Sequence, residues 1–226
     1  MTPPNDQVLG AIRHSLRRAV LPGAEAALPR TPRVASADRP ALLRQFEQAL
    51  VALTGRVHHA ASIGEAADIM AAVAAEHGAQ TFLSWDGGEL GCDGLLEALA
   101  SRHLTRVTYD LAFDAAQRAA AVPGLGEVVL GLTGADAAIA DAGAIVLASG
   151  PGRGRLASLL PPVHVALVSA SRIHPSLPDL LAAHPELVAK GANLVVIAGP
   201  SRTADIEKIL VMGAHGPKRL AVYFAG

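Results

Sequence analysis

Two histidines and two arginines in this chain stand where a side chain can do chemistry. His215 lies in Gly213-Ala214-His215-Gly216-Pro217, flanked by glycine, and His164 opens the apolar run Val163–Ser169. Imidazole titrates near neutrality, so either ring is a candidate to take or return a proton. His164 fits a satisfied histidine of the core better than a proton shuttle. Arg155 closes the loop Gly150-Pro151-Gly152-Arg153-Gly154-Arg155, and Arg202 follows Gly199-Pro200-Ser201. A guanidinium presents a two-pronged donor that suits a carboxylate or a phosphate. Glycines in the first loop can turn backbone N–H groups inward as an anion nest, with Arg153 and Arg155 adding charge. Ser158 lies on the short helix expected just beyond.

The segment Gly199–Glu207 reads as the carboxyl end of a buried strand entering a helix. Ligands of open parallel sheets bind at that edge. Ser201 and Thr203 can cap exposed N–H groups or leave them, with the helix dipole, to an anion. Asp205 sits in the expected first turn, where it complements the dipole or faces a ligand. Asp136, in Thr133-Gly134-Ala135-Asp136, can cap a turn or accept a ligand hydroxyl, and Asp141 suits a hairpin turn. Ligand binding is therefore expected of Arg155, Ser158, Ser201, Arg202, Thr203, Asp136 and Asp205.

Several familiar chemistries are excluded. There is no GxxxxGK[ST], GxSxG, HExxH or CxxC. The loop at 150–155 has Arg155 where a dinucleotide loop needs its third glycine, and it does not open an N-terminal βαβ unit. His58 and His59 are adjacent, so on a strand they point to opposite faces and cannot share a metal. No metal site is expected.

The elements that must carry these residues alternate. Val8, Leu9, Ile12 and Leu16 recur at helical spacing over 5–20. The proline-rich stretch that follows reads as a connector, so 1–40 is expected to be an N-terminal helix and arm. Helices are predicted over 40–53, 64–77 (closed by Gly78), 93–102 (capped by Asp93) and 203–212. Strands are predicted over 80–85, 104–109, 127–133, 163–169, 193–198 and 220–225. Ala137–Ala140 and Ala144–Leu147, joined by Asp141-Ala142-Gly143, give a hairpin. The runs at 163–169 and 193–198 are almost continuously apolar, as in strands covered on both faces. The predicted fold is α/β, a mostly parallel sheet with helices on both faces and an antiparallel hairpin.

Composition narrows the field further. Of 226 residues, 51% are hydrophobic, which excludes a disordered chain. Lys and Arg total 19 against 20 acids, so there is no overall electrostatic footprint for nucleic acid. With one Trp, two Tyr and four Phe, stacking along a single strand is poorly supported. The longest stretch without charge, Leu156–Ser171, is broken by Pro161-Pro162 and too short to span a bilayer. The single cysteine, Cys92, permits neither a Cys₄ cluster nor an intrachain disulfide. A cytoplasmic setting is expected.

Three segments, TGADAAIADAGAIVL at 133–147, GRLASLLPPVHVALV at 154–168 and GPSRTADIEKILVMGAHGPKRLAV at 199–222, closely resemble the lactate utilisation protein C family (LutC/YkgG, the LUD domain). The similarity covers most of 40–226, so that 41–226 is expected to be one LUD-type domain. Ala142 and Ala144 stand where threonines are expected around the hairpin glycine. The resemblance implies a fold like that of the NagB/RpiA/CoA-transferase class. It also implies one component of an iron–sulfur-containing system that oxidises L-lactate to pyruvate. Clusters would then sit on partner proteins, and this chain would carry no cofactor and bind a small anion. The alternatives are an independent transferase or isomerase acting on acyl-CoA or sugar phosphate, and a non-catalytic ligand-binding scaffold.

Overall fold

The computed structural model describes residues 4–18, 38–108, 124–190, 193–204, 210–213 and 215–225. The chain divides into compact units at Met1–Pro32 and Arg33–Gly226. In the first, helix α1 (Pro4–Arg18) leaves Val8, Leu9 and Ile12 exposed.

The second unit contains helices α2 (Arg39–Ala52), α3 (Ile63–Glu76), α4 (Leu95–Ala100), α5 (Leu156–Leu159), α6 (Leu177–Ala183) and α7 (Glu186–Lys190). Its main sheet is built from β1 (Arg56–Ala60), β2 (Thr81–Ser84), β3 (Thr105–Val107), β4 (Leu130–Gly134), β7 (Val163–Ser169) and β12 (Arg219–Ala225). Their order across the sheet is β1-β12-β7-β4-β2-β3, and every pairing is parallel. A second sheet joins β5 (Ala137–Ile139), β6 (Ala144–Ser149), β8 (Ile173–His174) and β9 (Asn193–Ile197) in the order β8-β5-β6-β9. The predicted hairpin at Asp141–Gly143 joins β5 to β6.

Pairing fixes which side chains share a face, because paired residues point the same way and neighbours along a strand alternate. Gly131, His164 and Leu220 are paired across β4, β7 and β12, so they share one face. That face carries α2, whose Phe46 meets Phe224 edge to face at 5.1 Å, and α5. A Cβ at Gly131 would lie 1.9 Å from the Ala157 carbonyl oxygen, so α5 rests directly on strand backbone. On the opposite face Tyr223 and Ala66 of α3 line one cavity. Strands β4 and β7 are buried almost throughout, as central parallel strands should be.

Three expectations are corrected. The helix expected over 203–212 is not found in its described parts, and residues 205–209 lie outside the described residues. Arg202–Ala204 (β10) and Leu210–Met212 (β11) pair antiparallel, Thr203 opposite Val211. The strand at 193–197 is not covered on both faces. It is the antiparallel edge of the second sheet, with Asn193 and Val196 exposed. Helix α4 begins after Gly94, at φ +80°, with no side-chain cap, so Asp93 does not cap it.

Candidate functional site

A cleft of about 390 Å³ opens against the face that carries His164 and Leu220. It is built from separate parts of the chain. α5 contributes Ser158, β7 contributes His164, the stretch after β9 contributes Ser201 and Arg202, and the turn before β12 contributes His215. Five of the residues singled out in the sequence thus meet around one space.

The cleft does not lie at the carboxyl rim of the parallel sheet, where the sequence placed it. His164 and Leu220 are the second residues of β7 and β12, so it sits at the amino-terminal edge. The loop after residue 198 leaves a strand of the other sheet and is stitched to the turn ahead of β12. Ser201 N–H donates to the Pro217 carbonyl, and Gly213 N–H to the Ser201 carbonyl, both at 2.8 Å. The carboxyl rim holds a smaller cavity of about 180 Å³, lined in part by Glu89, Cys92, Arg153 and Arg172.

His164 is fully buried. Its Nε2 is 2.9 Å from Thr133 Oγ1, while Nδ1 is buried without a partner. An orphaned buried nitrogen costs about 1–3 kcal/mol, and this ring lines the cleft. Burial drives its pKa down to about 3, so the ring is neutral at physiological pH. It serves as a fixed hydrogen-bonding group and is too weakly basic to collect a proton.

That depression ties stability to pH. The unfolded ring protonates below about pH 6.5 while the folded ring does not. The stability His164 contributes is therefore whole above pH 6.5 and is lost as pH falls towards 3, by on the order of 5 kcal/mol in total. Urea midpoints measured from pH 7 to pH 4 are expected to fall, and His164→Gln to flatten the fall. An equally steep fall in the variant would contradict the assignment.

Arg202 is anchored to the turn that follows α2. Its Nη2 donates to the Leu53 carbonyl and, at 2.8 Å, to Thr54 Oγ1. Thr54 has φ +66°, an outlying conformation for a β-branched residue that costs about 1–2 kcal/mol. This strain holds a hydroxyl against Arg202 beside the cleft. Thr54→Gly is expected to stabilise the protein by about 1 kcal/mol, measured by urea unfolding; a loss of stability would contradict the strain at this position.

The remaining expectations fare unevenly. Ser158 is buried and donates to the Arg155 carbonyl at 3.0 Å. Arg155 is exposed at the start of α5 and does not line the cleft. Asp136 is tied up structurally, its Oδ2 accepting from Ala148 N–H at 2.7 Å and its Oδ1 from Arg153 at 2.8 Å. Arg153 also donates to Glu89 at 2.7 Å and lies 5.0 Å over the Trp85 ring, so it is no open anion donor. Thr203 is in β10 and caps no helix; only its backbone is described. Asp205 falls outside the described residues. Among the described residues, no group of three or more His, Cys, Asp or Glu side chains could hold a metal ion, and no helix is long and apolar enough to cross a membrane. Sequence reasoning missed Thr54 and Thr133, which carry no motif and matter only through what folding brings beside them.

An α/β protein with a parallel six-stranded sheet, a mixed side sheet and a histidine-lined cleft between loops is thus defined. The LUD domain family matches residues 43–225, and the chain belongs to that family. It is 32% identical over 151 residues to lactate utilization protein C of Geobacillus sp. (strain WCH70), an alignment covering 65% of this chain and 63% of that one. It is 40% identical over 94 residues to lactate utilization protein C of Halalkalibacterium halodurans, covering 40% and 41%. The matches therefore span less than two thirds of these relatives. The fold is like that of a DUF162 family protein from Deinococcus radiodurans, with a TM-score of 0.55 and 22% identity over 84% of this chain and all of that one.

Proposed function

We propose that this chain is a component of an iron–sulfur-dependent system oxidising L-lactate to pyruvate, and that its cleft binds a small carboxylate or phosphate. The relatives named for lactate utilisation support a role in lactate utilisation. The observation that carries the second part is a cleft in which His164, whose Nδ1 is buried without a partner, meets Ser201, Arg202 and His215. A bound carboxylate would give that nitrogen its missing partner if Nδ1 bears the proton, with Thr133 donating to Nε2.

Oxidation of lactate removes two electrons and two protons. One cysteine in 226 residues cannot ligate a Cys₄ cluster, so in this reading the electrons pass to clusters on partner proteins. The proton of the lactate hydroxyl falls to His215, which is exposed, rather than to His164, and the hydrogen on the carbinol carbon leaves with the electron pair to the partner proteins. Deleting the gene is expected to abolish growth on L-lactate, and a copy with His215→Asn to restore it poorly. The wild-type chain is expected to copurify with cysteine-rich proteins. Normal growth of the deletion strain, with no second copy present, would remove this reading.

A further inference from the structure

We propose that the cleft takes L-2-hydroxy acids with a branched aliphatic side chain in preference to L-lactate, and that Leu53, Leu159 and Ile197 select for that side chain; this deepens the reading of the cleft as a carboxylate site and rests on it. Polar groups and aliphatic surface meet in one space, where Ser201, Arg202 and His215 share the lining with those three residues. A 2-hydroxy acid has the same two-sided build. Its carboxylate and hydroxyl need donors and acceptors, and its substituent needs an apolar wall.

The wall is built from three elements on one side of the main sheet. Leu159 belongs to α5, which rests on the face that carries His164. It is 42% exposed, while Ala157 and Ser158 beside it are buried. Leu53 follows α2, which packs on that same face. It is held against Gly199, where an added Cβ would come within 2.9 Å of the Leu53 Cβ. Ile197 ends β9, is paired with Ile145 and packs with it against the larger core. Leu53 and Ile197 are both half-buried. Aliphatic surface left uncovered in a concave site is what the apolar part of a ligand covers.

Size and charge narrow the class. A cleft of about 390 Å³ lies in the range of pockets that enclose ligands much larger than a three-carbon acid. The single methyl of lactate leaves most of the aliphatic wall bare. Among the described residues that line the cleft, Arg202 is the one guanidinium or ammonium group. One carboxylate finds a cation there and a second does not, so a dicarboxylate such as malate gains nothing from its longer chain. Burying one more methylene is worth about fourfold in affinity. A side chain with three carbons more than that of lactate is therefore worth at most about sixtyfold, and at least about tenfold where burial is partial.

Calorimetry on the full chain tests this with L-lactate, L-2-hydroxybutanoate, L-2-hydroxy-4-methylpentanoate, 4-methylpentanoate and L-malate. Affinity is expected to rise from the first to the third of these, by at least about tenfold in all. 4-Methylpentanoate, which lacks the hydroxyl, is expected to bind several-fold more weakly than its hydroxylated counterpart, and L-malate no more tightly than L-lactate. Leu159→Ala, at an exposed position that the fold tolerates, is expected to narrow the preference for the branched acid over L-lactate at least threefold. Equal affinity for L-lactate and the branched acid, tighter binding of L-malate, or a preference unmoved by Leu159→Ala overturns the proposal while the carboxylate reading of the cleft stands. Absence of saturable binding by all five acids removes that reading as well.

Discussion

Gly131→Ala is expected to destabilise the protein by at least about 3 kcal/mol, at or beyond the upper end of ordinary overpacking costs. The added carbon would lie 1.9 Å from the Ala157 carbonyl oxygen and 3.1 Å from Pro161 Cγ. The first of these is backbone, so no rotamer change relieves the clash. Either α5 lifts from the sheet or β4 shifts against β7, and both movements disturb His164 and Ser158. Urea unfolding measures the loss directly. A change below about 1 kcal/mol would mean that α5 does not rest on the sheet as described. Gly150→Ala is the matched control, since nothing lies within 4 Å of its added carbon.

Arg153→Met comes second, with an expected loss of about 2–3 kcal/mol. Its guanidinium bridges Asp136, whose side chain is 8% exposed, and Glu89, which is 41% exposed. Removing it strands a buried carboxylate that also holds Ala148 N–H. Glu89→Gln strands nothing buried and is expected to cost under about 1 kcal/mol, as for exposed pairs. The difference between the two variants is the informative quantity. Equal losses would show that the Asp136 pair contributes no more than a surface contact.

Both predictions concern residues whose importance the chain reveals only in part. The hairpin at 137–147 was readable because Asp141-Ala142-Gly143 is local turn chemistry, and the structure adds the reason for its glycine. Gly143 has φ +55°, and a Cβ there would meet the Leu50 backbone nitrogen at 2.4 Å. The buried strand at 163–169 was readable from its unbroken apolar run. The two ends of the helix expected over 203–212 were misread because helical preference is local, whereas the pairing of Arg202–Ala204 with Leu210–Met212 is decided across a ladder. The edge that bears the cleft was misplaced for a related reason. Nothing in Asn193–Ile197 shows that it joins the second sheet, and the position of Ser201 and Arg202 follows from that membership. His164, Ser201, Arg202 and His215 could be named in advance because each sits at a break between an apolar run and a glycine- or proline-rich loop.

Ring ¹⁵N spectra of the histidines during titration with L-lactate and with pyruvate would probe the cleft most directly. Saturable shifts of both His164 and His215 are predicted, with His164 staying neutral throughout and Nδ1 gaining a hydrogen-bond partner. Both rings lost from the response, at ligand concentrations far above those in cells, would contradict the assignment of this cleft as the anion site.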